Sequence, residues 1–231
     1  MKNTRVKLLA VLLVVHVFTW IGLDERSSAA MGQEQNVVFR WAFGAITGPT
    51  KARKFVTVTR DTILKTGDEL KLAIELEKQC YVYLVHQSPQ GEIAMLFPYD
   101  SKQYTAGYDT GKSYYIPKGQ SWFELDKNVG KETFHLLASD VRLMELETLI
   151  GRYIVADETK KKELAKAVVS EIVTQRRSHR SYAAAAERPA TIGGGVRSYD
   201  KDLRVKPDVA QSATEVLANK FYSKTITIDH K

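Results

Sequence analysis

Residues 67–98, GDELKLAIELEKQCYVYLVHQSPQGEIAMLFP, alternate apolar and polar side chains over two segments, and this alternation decides the fold class. The first segment places aliphatic residues at every second position, namely Leu70, Leu72, Ile74 and Leu76. The second segment, 81–86, is apolar on both faces, as expected of a central strand, and a turn at 88–91 joins it to another strand. The stretch therefore predicts one wall of a β-sandwich.

Short strands separated by turn residues continue on both sides of this stretch. Alternation predicts them at 37–43, 55–62, 113–116, 121–125, 132–138 and 224–230. Many short strands with Pro and Gly turns between them are typical of antiparallel sandwiches and barrels. We predict a mainly β fold, an antiparallel β-sandwich over 36–139, to which 224–230 returns as the last strand.

The hydrophobic period changes to that of helices before this last strand. Apolar residues recur at helical spacing from Val141 and again after Asp157, which predicts an α-helical hairpin over 140–178. Asp140 is the candidate N-cap of the first helix, and the acidic Asp157 and Glu158 at the start of the second suit the helix dipole. Residues 179–206 contain little to bury, so we expect a mobile loop inserted before the last strand. The remainder, 207–231, predicts a short helix at 208–218 followed by the returning strand.

The N-terminus has the pattern of a secretory signal peptide. Basic residues precede an apolar run at 8–23, and small residues at 28–30 predict cleavage after Ala30, so 1–30 is assigned as the signal. The apolar run is short for a bilayer-spanning helix, and we expect no stable membrane span after cleavage. A periplasmic or extracellular location follows, and nucleic acid is not an expected partner.

No known catalytic or metal-binding motif stands out in the chain. The sequence lacks GxSxG, HExxH, P-loop spacing and paired cysteines, so we predict no metal site and no cofactor. The only cysteine, Cys80, lies on an apolar strand face and is predicted to be a buried thiol. His86 and His135 both lie in strands; they either face each other across a sheet or are ordinary strand histidines.

Aromatic residues are densest between residues 99 and 123. Four of them are candidate binding residues: Tyr104, Tyr108, Tyr115 and Trp122. Exposed tyrosines beside polar groups stack on sugar rings or anchor a partner protein, because each ring offers a large area at low entropy cost. The alternative is that Trp122 and half of the tyrosines are core or turn residues.

The order of turns and strands resembles a known bacterial family. The matching features are Gly67-Asp68, Tyr81-Val82-Tyr83-Leu84, Gly91, Leu96-Phe97-Pro98, Ile116-Pro117, Phe123-Glu124-Leu125, Gly130-Lys131-Glu132 and Ala138-Ser139. Over 55–139, and again at 224–230, the chain resembles domain of unknown function 4384. The resemblance implies an exported or envelope-associated sandwich domain and brings no catalytic residues with it.

These observations favour an exported, non-catalytic interaction module of the bacterial cell envelope, whose partner is an envelope protein or a glycan. A polysaccharide-binding accessory domain that uses the Tyr-rich segment 99–123 is the alternative. An envelope hydrolase is the third candidate, with Ser139, Asp140 and Asp100 as the nearest additional groups. A cleft that holds His86 or His135 beside a carboxylate would favour catalysis.

Overall fold

The computed structural model describes residues 36–50, 52–101, 103–180, 185–190 and 206–231. The predicted signal peptide at 1–30 lies outside these residues, as does most of the predicted mobile loop at 179–206. Within the described part of the chain, no helix combines the length and the apolar character needed to cross a membrane.

Strands are the main regular element of the described residues, and the two long helices lie between the ninth and tenth strands. In chain order the strands are β1 Val37–Thr47, β2 Lys54–Thr57, β3 Thr62–Leu64, β4 Glu69–Leu76, β5 Tyr81–Gln87, β6 Ile93–Phe97, β7 Ser113–Ile116, β8 Phe123–Glu124, β9 Gly130–Ser139, β10 Ala186–Pro189, β11 Thr214–Ala218 and β12 Phe221–His230. The helices are α1 Gln103–Ala106, α2 Met144–Val155 and α3 Glu158–Ser178, and a 3-10 turn spans Val209–Ser212.

Two sheets pack face to face, which confirms the predicted β-sandwich. The first sheet has the order β10-β11-β1-β4-β7, with β2 paired to β1 and β8 paired to β4. The second has the order β3-β12-β9-β5-β6. Every pairing is antiparallel except that of β3 with β12. The last strand, β12, pairs along its whole length with β9, as the alternation at 224–230 predicts.

The core lies between the sheets and follows directly from the alternation of each strand. The aliphatic residues of β4 are buried against those of β5, β9 and β12, and Phe43 meets Phe134 edge to face with 4.9 Å between ring centroids. Cys80 is buried and unpaired, as predicted, and burial raises the pKa of its thiol to about 12. Burial of apolar area on this scale is the main stabilising term of such a domain.

The two long helices cover the outer face of the second sheet and form a second core with it. Tyr83, which is buried on that face, donates its hydroxyl proton to Glu147 Oε1 at 2.7 Å and accepts from the backbone N–H of Leu143 at 3.0 Å. This pair of bonds attaches the start of α2 to β5. Asp157 lies at the start of α3, as predicted, and its carboxylate caps the helix by accepting from Lys160 N.

Four local predictions differ from the structure. Within the predicted mobile loop at 179–206, residues Ala186–Pro189 form the strand β10, because β11 offers them an antiparallel edge. The strand predicted at 55–62 is two strands in different sheets, β2 and β3, because the chain crosses from one sheet to the other between them. The helix predicted at 208–218 is a single 3-10 turn followed by β11, since Val216 and Ala218 are buried and β11 pairs with β1. Asp140 does not cap α2, which begins at Met144.

Candidate functional site

Three neighbouring strands of the second sheet end their inward-facing rows in polar side chains at the same end of the sandwich. The apolar row of β5 continues to His86, that of β12 continues to His230, and that of β9 begins at Glu132. Because side chains on one face of a strand recur every second residue, these three polar groups point between the sheets. They mark the place where the apolar core stops.

Glu132 lies between the two imidazoles. His86 Nε2 is 2.5 Å from Glu132 Oε2, and His230 Nδ1 is 3.9 Å from Glu132 Oε1. Glu132 and His230 are buried, whereas the His86 side chain retains 23% of its surface exposed. The carboxylate therefore accepts from His86, and this bond fixes the orientation of an imidazole that stays partly open.

The second imidazole is held from its other side. His230 Nε2 lies 3.2 Å from Thr66 Oγ1, and that hydroxyl donates its own proton to the carbonyl oxygen of Asp126 at 2.8 Å. Thr66 Oγ1 is thus left as the acceptor for His230 Nε2. His230 Nδ1 is buried without a hydrogen-bond partner among the described residues and faces Glu132.

A cavity of about 250 Å³, the end cavity, opens beside His86 and Glu132 at this end of the sandwich. Its floor is apolar and includes Leu70, Leu96 and Phe134. Its rim comes from the turn between β5 and β6, from β8 and from the loop that leads to β9; the rim residues include Ser88, Gln90, Glu92, Phe123, Glu124, Asp126 and Asn128. The cavity is therefore concave and mostly apolar, with a few polar groups, as ligand sites generally are.

Gly130 brings two walls of this cavity together. A Cβ atom at position 130 would lie 2.7 Å from Pro89 Cβ, and the residue has a φ of 139°, a backbone conformation that favours glycine. The start of β9 can approach the β5–β6 turn this closely only without a side chain. The glycine thus shapes the cavity although it is not one of the lining residues.

The charge of the lining is one-sided. Four carboxylates belong to it, those of Glu92, Glu124, Asp126 and Glu132, and none of the lining residues is Lys or Arg. Asp126 is oriented by Asn128, whose backbone N–H and side-chain amide both donate to it at 2.7 Å. Like charges repel, so the cavity disfavours phosphates and other anions and favours a cationic or neutral group.

His86 and His135 do not face each other. His86 pairs with Phe134 across β5 and β9, while His135 pairs with Val85, so the two imidazoles lie on opposite faces of the sheet. His135 is buried on the outer face, and burial, together with the nearby Arg176, lowers its pKa to about 4. The carboxylate beside His86 is Glu132, which the sequence did not bring forward alongside Ser139, Asp140 and Asp100.

The four predicted aromatic binding residues lie in three different places. Tyr108 stacks on the core residue Phe97, with 4.4 Å between ring centroids, and burial raises its pKa. Tyr104 packs against the second core, 6.0 Å from the Tyr83 ring. Tyr115 and Trp122 lie together on the outer face of the first sheet. The Tyr-rich segment is therefore not one continuous aromatic strip.

Tyr115 and Trp122 flank a buried lysine that the alternation of β4 places on the solvent side. The Nζ atom of Lys71 lies 5.5 Å from the Tyr115 ring centroid and 5.8 Å from that of Trp122. The same ammonium donates to the backbone carbonyls of Gly119 and Ser121, at 2.7 and 2.5 Å. Burial lowers the pKa of Lys71. These two aromatic rings cover a structural lysine that ties down the turn after β7.

No cluster of His, Cys, Asp and Glu that could hold a metal ion occurs among the described residues. Of the two imidazoles beside Glu132, that of His230 is too far for a hydrogen bond, with its Nδ1 atom 3.9 Å from Glu132 Oε1. The side chains of the site can hold a proton or receive a cationic group.

Comparison with known proteins gives one match. No curated protein and no solved structure matches the chain. Every residue that lines the end cavity falls within 63–142. Residues 63–142 match the model of the family Domain of unknown function (DUF4384), which confirms the resemblance predicted from the order of turns and strands.

Proposed function

We propose that this protein is an exported, non-catalytic interaction module of the bacterial cell envelope that receives a basic side chain of a partner protein in the end cavity. The observation that carries the proposal is the combination of an apolar floor with four carboxylates and no Lys or Arg in the lining. Export is supported by the signal-peptide pattern at 1–30 and implies a periplasmic or extracellular partner.

The chemistry of the cavity suits a Lys or Arg side chain. Such a side chain has an apolar stem that packs on rings and aliphatic groups, and a charged head that stays near polar groups. Here the stem would lie along Phe123 and Leu96, and the head would reach the carboxylates of Glu124 and Asp126 at the rim. Opposite charges on the two partners also raise the rate at which they associate.

The test uses charge reversal at the rim. Partners are captured by crosslinking in intact cells that carry the wild-type protein, Glu124→Lys or the matched control Glu163→Lys. Glu124 lies at the cavity, whereas Glu163 is an exposed residue of α3 far along the chain from it. We expect Glu124→Lys to reduce capture of the partner about tenfold and Glu163→Lys to leave it unchanged. Equal capture by all three proteins would refute the role of the cavity.

One observation favours a second candidate, an envelope hydrolase. Glu132 orients the His86 imidazole by a hydrogen bond, as a carboxylate positions a general base in hydrolases. Ser88 lines the same cavity. Ser88 Oγ, however, accepts from the backbone N–H of Glu92, and no hydrogen bond joins it to His86 in the described residues. Loss of a measurable hydrolysis of envelope material in His86→Ala would replace the binding proposal with this one.

A further inference from the structure

Helix α2 carries two apolar faces, only one of which the fold uses. Its buried face, with Leu146, Leu149, Ile150 and Tyr153, packs on the second sheet and on α3. Its opposite face is exposed and contains Met144, Thr148, Gly151 and Val155, spaced by four, three and four positions. This spacing is that of the narrow seam between two coiled helices.

The exposed seam is unusually apolar for a solvated helix face. Met144 is 58% exposed and Val155 is 83% exposed, and Ile154 beside them is 64% exposed. Thr148 turns its hydroxyl back to the carbonyl oxygen of Met144 at 2.8 Å, so its methyl group is what the face presents. The seam itself carries no charge.

Gly151 is not explained by the packing of one chain. A Cβ atom at this position would meet nothing within 4 Å. Glycine in the middle of a helix is nevertheless less favourable than alanine, because it loses more backbone freedom on folding. A glycine in the centre of an exposed apolar seam lets a second backbone approach closely, which supplies a reason for its presence.

The charged residues on the flank of the seam indicate what the second backbone is. Glu145 and Arg152 lie on the same flank, seven positions apart, and neither forms an ion pair within the described residues. If a two-fold axis crosses the seam between Thr148 and Gly151, the two helices run antiparallel and this flank of one chain faces the same flank of the other. Glu145 of each chain then faces Arg152 of the partner subunit, twice by symmetry.

We propose that two copies of this chain associate through antiparallel packing of α2 on α2, with Thr148 and Gly151 on either side of the crossing and two Glu145–Arg152 pairs across it. A parallel arrangement would instead set this flank against the other flank of α2, which holds Ile154 and Glu147. Glu147 is buried and already bound by Tyr83 and Arg142, so neither Glu145 nor Arg152 would find a free partner there. The proposal is independent of the end cavity. A three-turn helix pair buries a modest area, so we expect a weak dimer whose population depends on concentration.

The experiment measures the oligomeric state by sedimentation velocity over a concentration series. The proteins are the wild type, Glu145→Arg, Arg152→Glu, the double exchange of both residues, Gly151→Leu and the control Glu163→Arg on α3. Each single reversal converts two attractive pairs into two repulsive pairs, so we expect the dissociation constant to rise about tenfold. The double exchange should restore the wild-type value, and Gly151→Leu should abolish the dimer.

A control variant and a measurement of helix content distinguish loss of the dimer from loss of the fold. Glu163→Arg should behave as the wild type, and far-ultraviolet circular dichroism should show the same helix content for all variants. A wild-type protein that stays monomeric at the highest concentration reached would overturn the proposal. It would equally be overturned if the double exchange dimerised no better than the single reversals, or if α2 variants lost capture of a different protein while the free chain remained a monomer.

Discussion

The buried His135 makes the fold sensitive to mild acid. This imidazole lies under α3 with its Nδ1 atom 3.4 Å from Thr225 Oγ1, and its Nε2 atom is buried without a partner among the described residues. Burial, and to a lesser degree the neighbouring Arg176 and His86, lowers its pKa from 6.5 to about 4. The neutral imidazole is therefore the form that the folded state accommodates.

The sign and size of the effect follow from this difference in pKa. The unfolded chain takes up a proton near pH 6.5, whereas the folded chain takes it up only near pH 4, so the folded state is progressively disfavoured as the pH falls through this interval. A tenfold difference in proton affinity corresponds to about 1.4 kcal/mol. His135 should thus reduce the free energy of unfolding by about 2 kcal/mol at pH 5 and by about 3 kcal/mol below pH 4.

Urea denaturation between pH 7 and pH 4.5 measures this contribution. His135→Asn, which can keep a hydrogen bond to Thr225, serves as the comparison, and the informative quantity is the slope of stability against pH rather than its absolute value. The carboxylates contribute equally to both slopes, so their difference isolates His135. Identical slopes, or an NMR titration of the His135 ring near pH 6.5, would refute the reasoning.

Further substitutions test the supports of the fold. Lys71→Met removes the ammonium that binds the carbonyls of the turn at 117–121, and urea denaturation should show a loss of about 2 to 3 kcal/mol; an unchanged midpoint would contradict the role given to Lys71. Tyr83→Phe removes the bond to Glu147 and should cost about 1 to 3 kcal/mol by the same assay, with faster hydrogen exchange at the start of α2. Gly151→Ala should stabilise the dilute monomer by about 0.5 to 1 kcal/mol in thermal unfolding, since its methyl group meets nothing, and a loss of stability would show that the helix is strained there.

The parts of the fold that were predictable depend on local period. The alternation of β4 and that of β12 each identify a strand and its buried face, because a half-buried strand repeats every second residue whatever its partners are. Asp157 likewise caps α3 through a contact only three residues away. In each case the residues that produce the structure are neighbours in the sequence.

The parts that were not predictable depend on partners far away in the chain. Position 71 is solvent-facing by its phase in β4, yet the turn after β7 folds over it and supplies carbonyl acceptors for its ammonium. The segment 214–218 is a strand because β1 offers it an edge and the core accepts Val216. Long-range pairing overrides local propensity in such segments.

The candidate site shows the same limit. His86 and Glu132 are 46 positions apart, and the contact between them exists because β5 and β9 are neighbours in the second sheet. Each residue could be found from the sequence as the polar end of an otherwise apolar inward row. The contact between the two residues could not be predicted, since the sequence of a single strand does not determine which strands become its neighbours in the sheet.

The segment that matches the family model contains the lining of the end cavity but not the exposed seam of α2. Residues 63–142 contain every residue that lines the end cavity, but they omit β1 and β12. Both omitted strands are central, because β1 pairs with β4 and β12 pairs with β9, so the walls of the cavity rest on strands outside the matched segment. The exposed seam of α2 also lies outside it. A binding role for the cavity therefore concerns the segment that matches the family model, whereas self-association through α2 concerns a part of this chain that the model does not cover.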